Sequence, residues 1–145
     1  MDVKVRIDPA APGLSVTITA PAMTGEVQAL AARLSHQDAL LMAWDGETAV
    51  PLRGEDILRC YGEDKGVRVQ TESGSYDLRE RLYELEGRLD RHTFVRISHS
   101  EIVNLKKVTA LDLSLTGTIR MTLAGDTVCY VSRRYVKKIK EALGL

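Results

Sequence analysis

The 145-residue chain is long enough for one domain with a sizeable core, and its 44% hydrophobic and 28% charged content excludes a disordered or membrane-embedded class. The zero formal net charge conceals a contrast, because residues 1–90 carry 10 basic against 16 acidic side chains and residues 91–145 carry 10 against 4. Clustered Lys and Arg suit a nucleic-acid partner, whose phosphates release counterions on binding, although two halves that neutralise each other across an internal interface would show the same contrast.

In chain order, VKVRI (3–7) and LSVTIT (14–19) flank the turn former Asp-Pro-Ala-Ala-Pro-Gly and predict a hairpin. MDVKVRIDPA lacks the apolar stretch of a secretion signal, and ALLMAW (39–44) is too short to span a bilayer, so a cytoplasmic protein is expected. Thr24 is placed to cap a helix with Glu26 in its first turn. Val27, Leu30, Ala31 and Leu34 then share one face, as far as about Ser35. ALLMAW, the Asp45-Gly46 turn and TAVPL predict a second hairpin. ILRCY and VRVQT pair across residues 62–66, with a tight turn following at Ser73-Gly74. Leu78, Leu82, Leu85 and Leu89 form the apolar stripe of a helix from about Glu80 to about Leu89, read as core packing.

From Phe94 the pattern is β again: VTALDLSL, TIRMTL and TVCYV, with turns at Thr116-Gly117 and Ala124-Gly125-Asp126. Leu111, Leu113 and Leu115 alternate with Asp112 and Ser114, as in a sheet with one wet face. The chain ends in SRRYVKKIKEALGL, where Ser132 is a candidate cap, Val136, Ile139 and Leu143 face inward, and Gly144 stops the helix. The sum is a strand-dominated α+β chain.

Catalytic chemistry has little support. His36, His92 and His99 have no metal-ligand spacing, and Gly-rich phosphate loops, nucleophile elbows and Cys-Xaa-Xaa-Cys pairs are missing from the sequence. No metal, cofactor or enzymatic activity is expected. Cys60 and Cys129 read as reduced thiols.

Two features break the structural pattern. In HTFVRISHSEIVNL (92–105), Ser98, His99, Ser100 and Glu101 put four polar residues in a row inside an apolar strand sequence. A solvent loop would do this, and so would a loop that presents side chains to a partner. In the last helix, Arg133 and Arg134 occupy the first turn, where positive charge opposes the helix dipole by about 0.3–1 kcal/mol each. Guanidiniums beside outward-pointing backbone amides suit phosphate and guanine edges, and Lys137, Lys138 and Lys140 extend the positive face.

FVRISHSEIVNLKKV followed by LSLTGTIRMTLAGDTVCYVSRRYVKKIKEAL resembles the LytTR DNA-binding domain family, in which a strand ending in a His-Arg-Ser-like tripeptide leads into Val-Asn and a later Ser-Arg-Arg-Tyr opens the final helix. A weaker resemblance reaches back to about Thr48. Here the tripeptide is Ser98-His99-Ser100, so the middle, base-reading position falls to His99, with one or two donors in place of a guanidinium fork.

The resemblance implies short antiparallel sheets with few helices and loop-borne recognition of double-stranded DNA. By position, the contacts fall on Lys65 and Gly66, on Ser98, His99 and Ser100, and on Arg133, Arg134 and Lys137, with Asn104 holding the 98–100 loop by backbone hydrogen bonds and Ser132 supporting the helix start. Residues 46–145 would form the LytTR-like domain and residues 1–45 a strand-strand-helix extension for dimer or partner contacts. The expectation is a transcription regulator acting as a homodimer on repeated half-sites. Its alternative is a LytTR-like module without DNA binding that sequesters a partner protein. By analogy alone, an inhibitory membrane protein encoded nearby is a further candidate partner.

Overall fold

Short β-branched and aliphatic runs punctuated by turn formers give ten strands and three α-helices in the computed structural model, which describes residues 1–34 and 40–145. The hairpin of β1 (Leu40–Asp45) and β2 (Thr48–Arg53) turns at Gly46, whose φ of +59° is the left-handed conformation an Asp-Gly turn supplies. β3 (Ile57–Glu63) and β4 (Gly66–Thr71) pair antiparallel, and β5 (Gly74–Leu78) returns along β4. β5 escapes sequence reading because GSYDL offers only Tyr76 and Leu78 as large apolar residues. Its neighbours recruit it.

After α2 (Leu82–Arg88) come β6 (Phe94–Ser98), β7 (Glu101–Asn104), β8 (Val108–Asp112), β9 (Ile119–Leu123), β10 (Thr127–Val131) and α3 (Arg133–Ala142). One sheet has seven strands in the order β2-β1-β5-β4-β3-β7-β6, and the other has three, β10-β9-β8. α2 begins two residues later than the leucine spacing suggests, because Leu78 already belongs to β5.

Two cores divide the apolar residues. Leu41, Ala43, Ile57, Cys60, Val69 and Ile102 pack with Leu85 of α2, while Leu58, Val95, Ile97 and Val103 pack with Met121, Leu123 and Val131 of the small sheet and Ile139 of α3. A register shift between Ile57 and Arg59 lets adjacent Ile57 and Leu58 enter different cores, since a bulge adds a residue and rotates the strand. Ile139 is fully buried, and cutting such a residue to Ala costs about 2–5 kcal/mol.

Two sequence expectations need correction. Residues 3–7 and 14–19 are not strands. Val3, Val5, Ile7, Leu14 and Val16 are 63–100% exposed, and an isolated two-stranded ribbon with nothing to cover its apolar face is marginal in water. α1 (Gly25–Leu34) does form, with Thr24 Oγ1 accepting from Val27 N at 3.3 Å, but it buries no residue. Its expected end at Ser35 lies outside the described residues, as does His36. The boundary expected between residues 45 and 46 falls within the β1–β2 hairpin, and β1 contributes Leu41 and Ala43 to the core.

The second correction concerns Leu113 and Leu115, which are 47% and 40% exposed instead of lining a sheet face. β8 stops at Asp112 because its carboxylate accepts from Ser114 N at 2.9 Å and from the Ser114 hydroxyl at 2.6 Å, bending the chain out of the ladder. Those bonds hold the Asp112 carboxyl below the usual range.

Cys60 and Cys129 are buried free thiols, both pushed up to about 12, chiefly by burial. A folded-state pKa above the unfolded value means that the thiol contribution to stability is intact below the unfolded value and lost as pH rises toward 12. Native protein at pH 8 should therefore react with a thiol-disulfide reagent only at the rate of opening, and urea should expose both thiols at once. Absorbance-monitored thiol titration with and without urea checks this.

Candidate nucleic-acid interface

The strand registers gather several connections at one end of the larger sheet. Glu63 pairs with Gly66, Tyr61 with Glu101, Ser98 with Glu101 and Val67 with Leu78, so the β3–β4 turn, the β6–β7 turn and the exit of β5 lie side by side. Two backbone bonds tie the set together. Gly62 N donates to Ser100 O at 2.8 Å, and Ser132 N donates to Ile97 O at 2.8 Å, which brings the start of α3 against the β6–β7 turn.

The polar interruption after Ile97 is a tight hairpin turn. Arg96 lies opposite Ile102 while Ser98 lies opposite Glu101, so the ladder takes up one extra residue. This bulge keeps Ile97 at 0% exposure while His99 and Ser100 project as the exposed turn. Ser98 Oγ accepts from Ser100 N at 3.2 Å. Arg96 donates to the His99 carbonyl and is held from its other side by Glu86. Glu101 belongs to β7 and accepts from Arg59 Nη1 at 2.8 Å.

Lys65 and Gly66 are exposed at the neighbouring turn, where Asp64 adopts a φ of +53°. In α3 the first turn holds no acidic residue, and Arg133, Arg134, Lys137, Lys138 and Lys140 are exposed. Ser132 has the extended backbone of an N-cap, but its hydroxyl makes no capping bond, which corrects the expected side-chain cap; the residue anchors the helix through its backbone instead, its carbonyl accepting from Tyr135 N at 2.8 Å. The leading amides are therefore left to solvent or to an anion. Arg133 lies across Gly117, where a Cβ would stand 2.9 Å from Nη2 and φ is +76°.

Ion pairing separates two groups of cations. Arg59, Arg68, Arg88 and Arg96 each hold a carboxylate. Among the described residues, none of the basic side chains of α3 and not Lys65 makes an ion pair.

A family model described as the LytTr DNA-binding domain matches residues 47–144. The chain belongs to the LytTR family. A Staphylococcus aureus protein (strain NCTC 8325 / PS 47) named an uncharacterized HTH-type transcriptional regulator is 36% identical over 132 residues, covering 90% of this chain and 89% of its own. Its counterpart from strain MRSA252 is 35% identical over the same span. Both matches are longer than the family model and reach into the segment before β1. The solved LytTr DNA-binding domain from Bacillus cereus shares the fold, with a TM-score of 0.70 at 21% identity over 73% of this chain and 97% of that one.

As a LytTR protein of bacterial type, the chain is a DNA-binding regulator and not an enzyme. Although the S. aureus relatives are named HTH-type, α2 and α3 here are separated by five strands and form no helix-turn-helix pair.

Asn104 acts away from the 98–100 turn. It sits at the far end of β7, 1% exposed, and its Nδ2 donates to Ile57 O at 2.9 Å and Gly54 O at 3.4 Å, while Oδ1 accepts from Lys106 N at 2.9 Å. The side chain pins the 3-10 turns before β3 and after β7, and Arg96 does the bracing of the 98–100 turn that sequence reading gave to Asn104. Nothing in FVRIS marks Arg96 for this, because an outward-facing charge on a half-buried strand is ordinary. Asn104→Ala should lose about 1–3 kcal/mol in urea denaturation, as a buried carbonyl and amide lose their partner, and leave any discrimination between DNA sequences unchanged in the folded fraction.

Proposed function

We propose that this LytTR chain is a cytoplasmic, sequence-specific regulator that binds double-stranded DNA as a homodimer on repeated half-sites. His99 and Arg134 read base edges. Lys65, Gly66, Ser98, Ser100, Arg133 and Lys137 position the duplex through its backbone. The observation that supports this reading is the convergence of three segments distant in sequence, 62–66, 98–100 and 132–134, on one sheet end, where Lys65, Arg133 and Arg134 make no ion pair among the described residues. Exposed cations without partners do little for stability, whereas each phosphate they neutralise releases counterions.

The base-reading and phosphate-binding roles separate in binding measurements against a selected sequence and random duplex. Arg134→Ala and His99→Ala should each cost about 1–3 kcal/mol on the selected site and little on random DNA, so the specificity ratio falls. Lys138→Ala should weaken both alike and lower the salt slope by at most about one. Retained discrimination in folded Arg134→Ala and His99→Ala proteins removes the assignment. A module that only sequesters a protein would show no salt-dependent DNA binding at all.

The proposed dimer contact lies in residues 1–34. Their apolar side chains alternate with polar ones, yet none is buried within the chain, so a second copy would supply the missing cover. Deleting residues 1–34 removes nothing from either core. The shortened chain should stay folded, sediment as a monomer and bind one half-site weakly. Monomeric full-length protein on and off DNA would contradict the dimer.

A further inference from the structure

The cationic end of the larger sheet continues past the β3–β4 turn. β5 leaves β4 at the Leu78 and Val67 pair, so the Arg79-Glu80-Arg81 connection to α2 emerges beside Lys65. The two sides enclose a cleft of about 570 Å³ whose lining includes Lys65, Arg79, Arg81, Tyr83, Arg96 and His99. Its acids are Asp64 and Glu80, and Glu80 is held by Arg88. Arg96 is committed to Glu86 and the His99 carbonyl. Arg79 and Arg81, by contrast, are exposed and make no ion pair among the described residues.

Both arginines are nevertheless positioned. The Arg79 guanidinium lies 3.5 Å from the centroid of the Trp44 ring, which orients it without neutralising it. Arg81 precedes α2, and its backbone N–H donates to Glu84 Oε1 at 3.2 Å. Asp77, the last acid before them on β5, is taken up by Arg68 at 2.6 Å. One strand further on, β1 meets β5 at Trp44 and Asp77, and the acidic turn of Asp45 and Glu47 ends the positive strip.

We propose that this cleft seats the sugar-phosphate backbone of the bound duplex, with Arg79 and Arg81 neutralising phosphates next to the bases that His99 approaches. The inference rests on the interface reading above and deepens it: these two residues raise affinity for every duplex and choose among none. Arg79 and Arg81 sit 18–20 residues before His99, outside every segment that the sequence assigned to DNA contact.

The test uses the full chain, titrated over a series of salt concentrations against its selected sequence and a random duplex of equal length. Arg81→Gln should weaken both about 5–10-fold near 0.1 M salt, lower the magnitude of the log K against log salt slope by about one, and keep the specificity ratio. Arg81→Lys should keep the parent slope, which a merely structural role would not require, and the melting curves of both should match the parent. Arg79→Gln should lower the slope in the same way, judged on protein shown by melting to be folded. If Arg81→Gln and Arg79→Gln bind with the parent slope while Arg134→Ala loses discrimination, the cleft assignment fails and the interface stands. If Arg81→Gln collapses the specificity ratio, the phosphate assignment is overturned in favour of a base contact. If Arg134→Ala and His99→Ala also match the parent, the interface reading fails and takes this proposal with it.

Discussion

The backbone bonds from Gly62 N to Ser100 O and from Ser132 N to Ile97 O, each 2.8 Å, are the constraint on which the proposed recognition surface depends. Three segments far apart in the chain can present donors to one duplex only if their spacing is fixed to within a fraction of a hydrogen-bond length. Turn tips on their own do not provide that. Here the β6–β7 turn is bonded to β3 on one side and to the start of α3 on the other, and Ile97, the residue whose carbonyl anchors the helix, is itself locked in the core. The bulge that buries Ile97 is also what projects His99. Core packing and presentation of the turn are one event, and Arg96, bridging Glu86 and the His99 carbonyl, completes the bracing.

Charge placement follows a different logic from stability. Among the described residues, the contrast between the acidic first 90 residues and the basic remainder is relieved across the halves at only two pairs, Arg59 with Glu101 and Arg96 with Glu86, both of which brace strands near the 98–100 turn. The remaining pairs, Arg68 with Glu63 and Asp77 and Arg88 with Glu80, lie within the first half. The basic side chains of α3 make no ion pair among the described residues. Internal neutralisation therefore does not account for the asymmetry, and arginines in the first turn of a helix work against its dipole. A polyanion is the partner that makes such an arrangement favourable.

The strands other than β5, together with α2 and α3, were legible because alternation and helical spacing report burial directly, and Asp45-Gly46 marked the first hairpin of the large sheet. The polar run at 98–101 and the arginines that open α3 stood out from their surroundings, whereas Lys65 came only from resemblance to a family, and nothing in three short polar segments says that they meet. Bracing was not legible: Arg96 and Gln70, whose amide reaches Thr127 Oγ1 at 2.8 Å between the two sheets, look like ordinary outward residues until the strands are paired. The failed N-terminal strands show the opposite limit. VKVRI has the right period, but period specifies a strand only where something covers its apolar face.

If DNA meets one end of the larger sheet, amide hydrogen exchange of the full chain with and without its selected duplex will locate it there. Slowed exchange should concentrate at 62–66, 79–81, 98–100 and the first turn of α3, with 54–56, 71–74 and 104–107 at the opposite end unchanged. Protection confined to that opposite end, with the three turns exchanging as in the free protein, would place the duplex on the other end of the sheet.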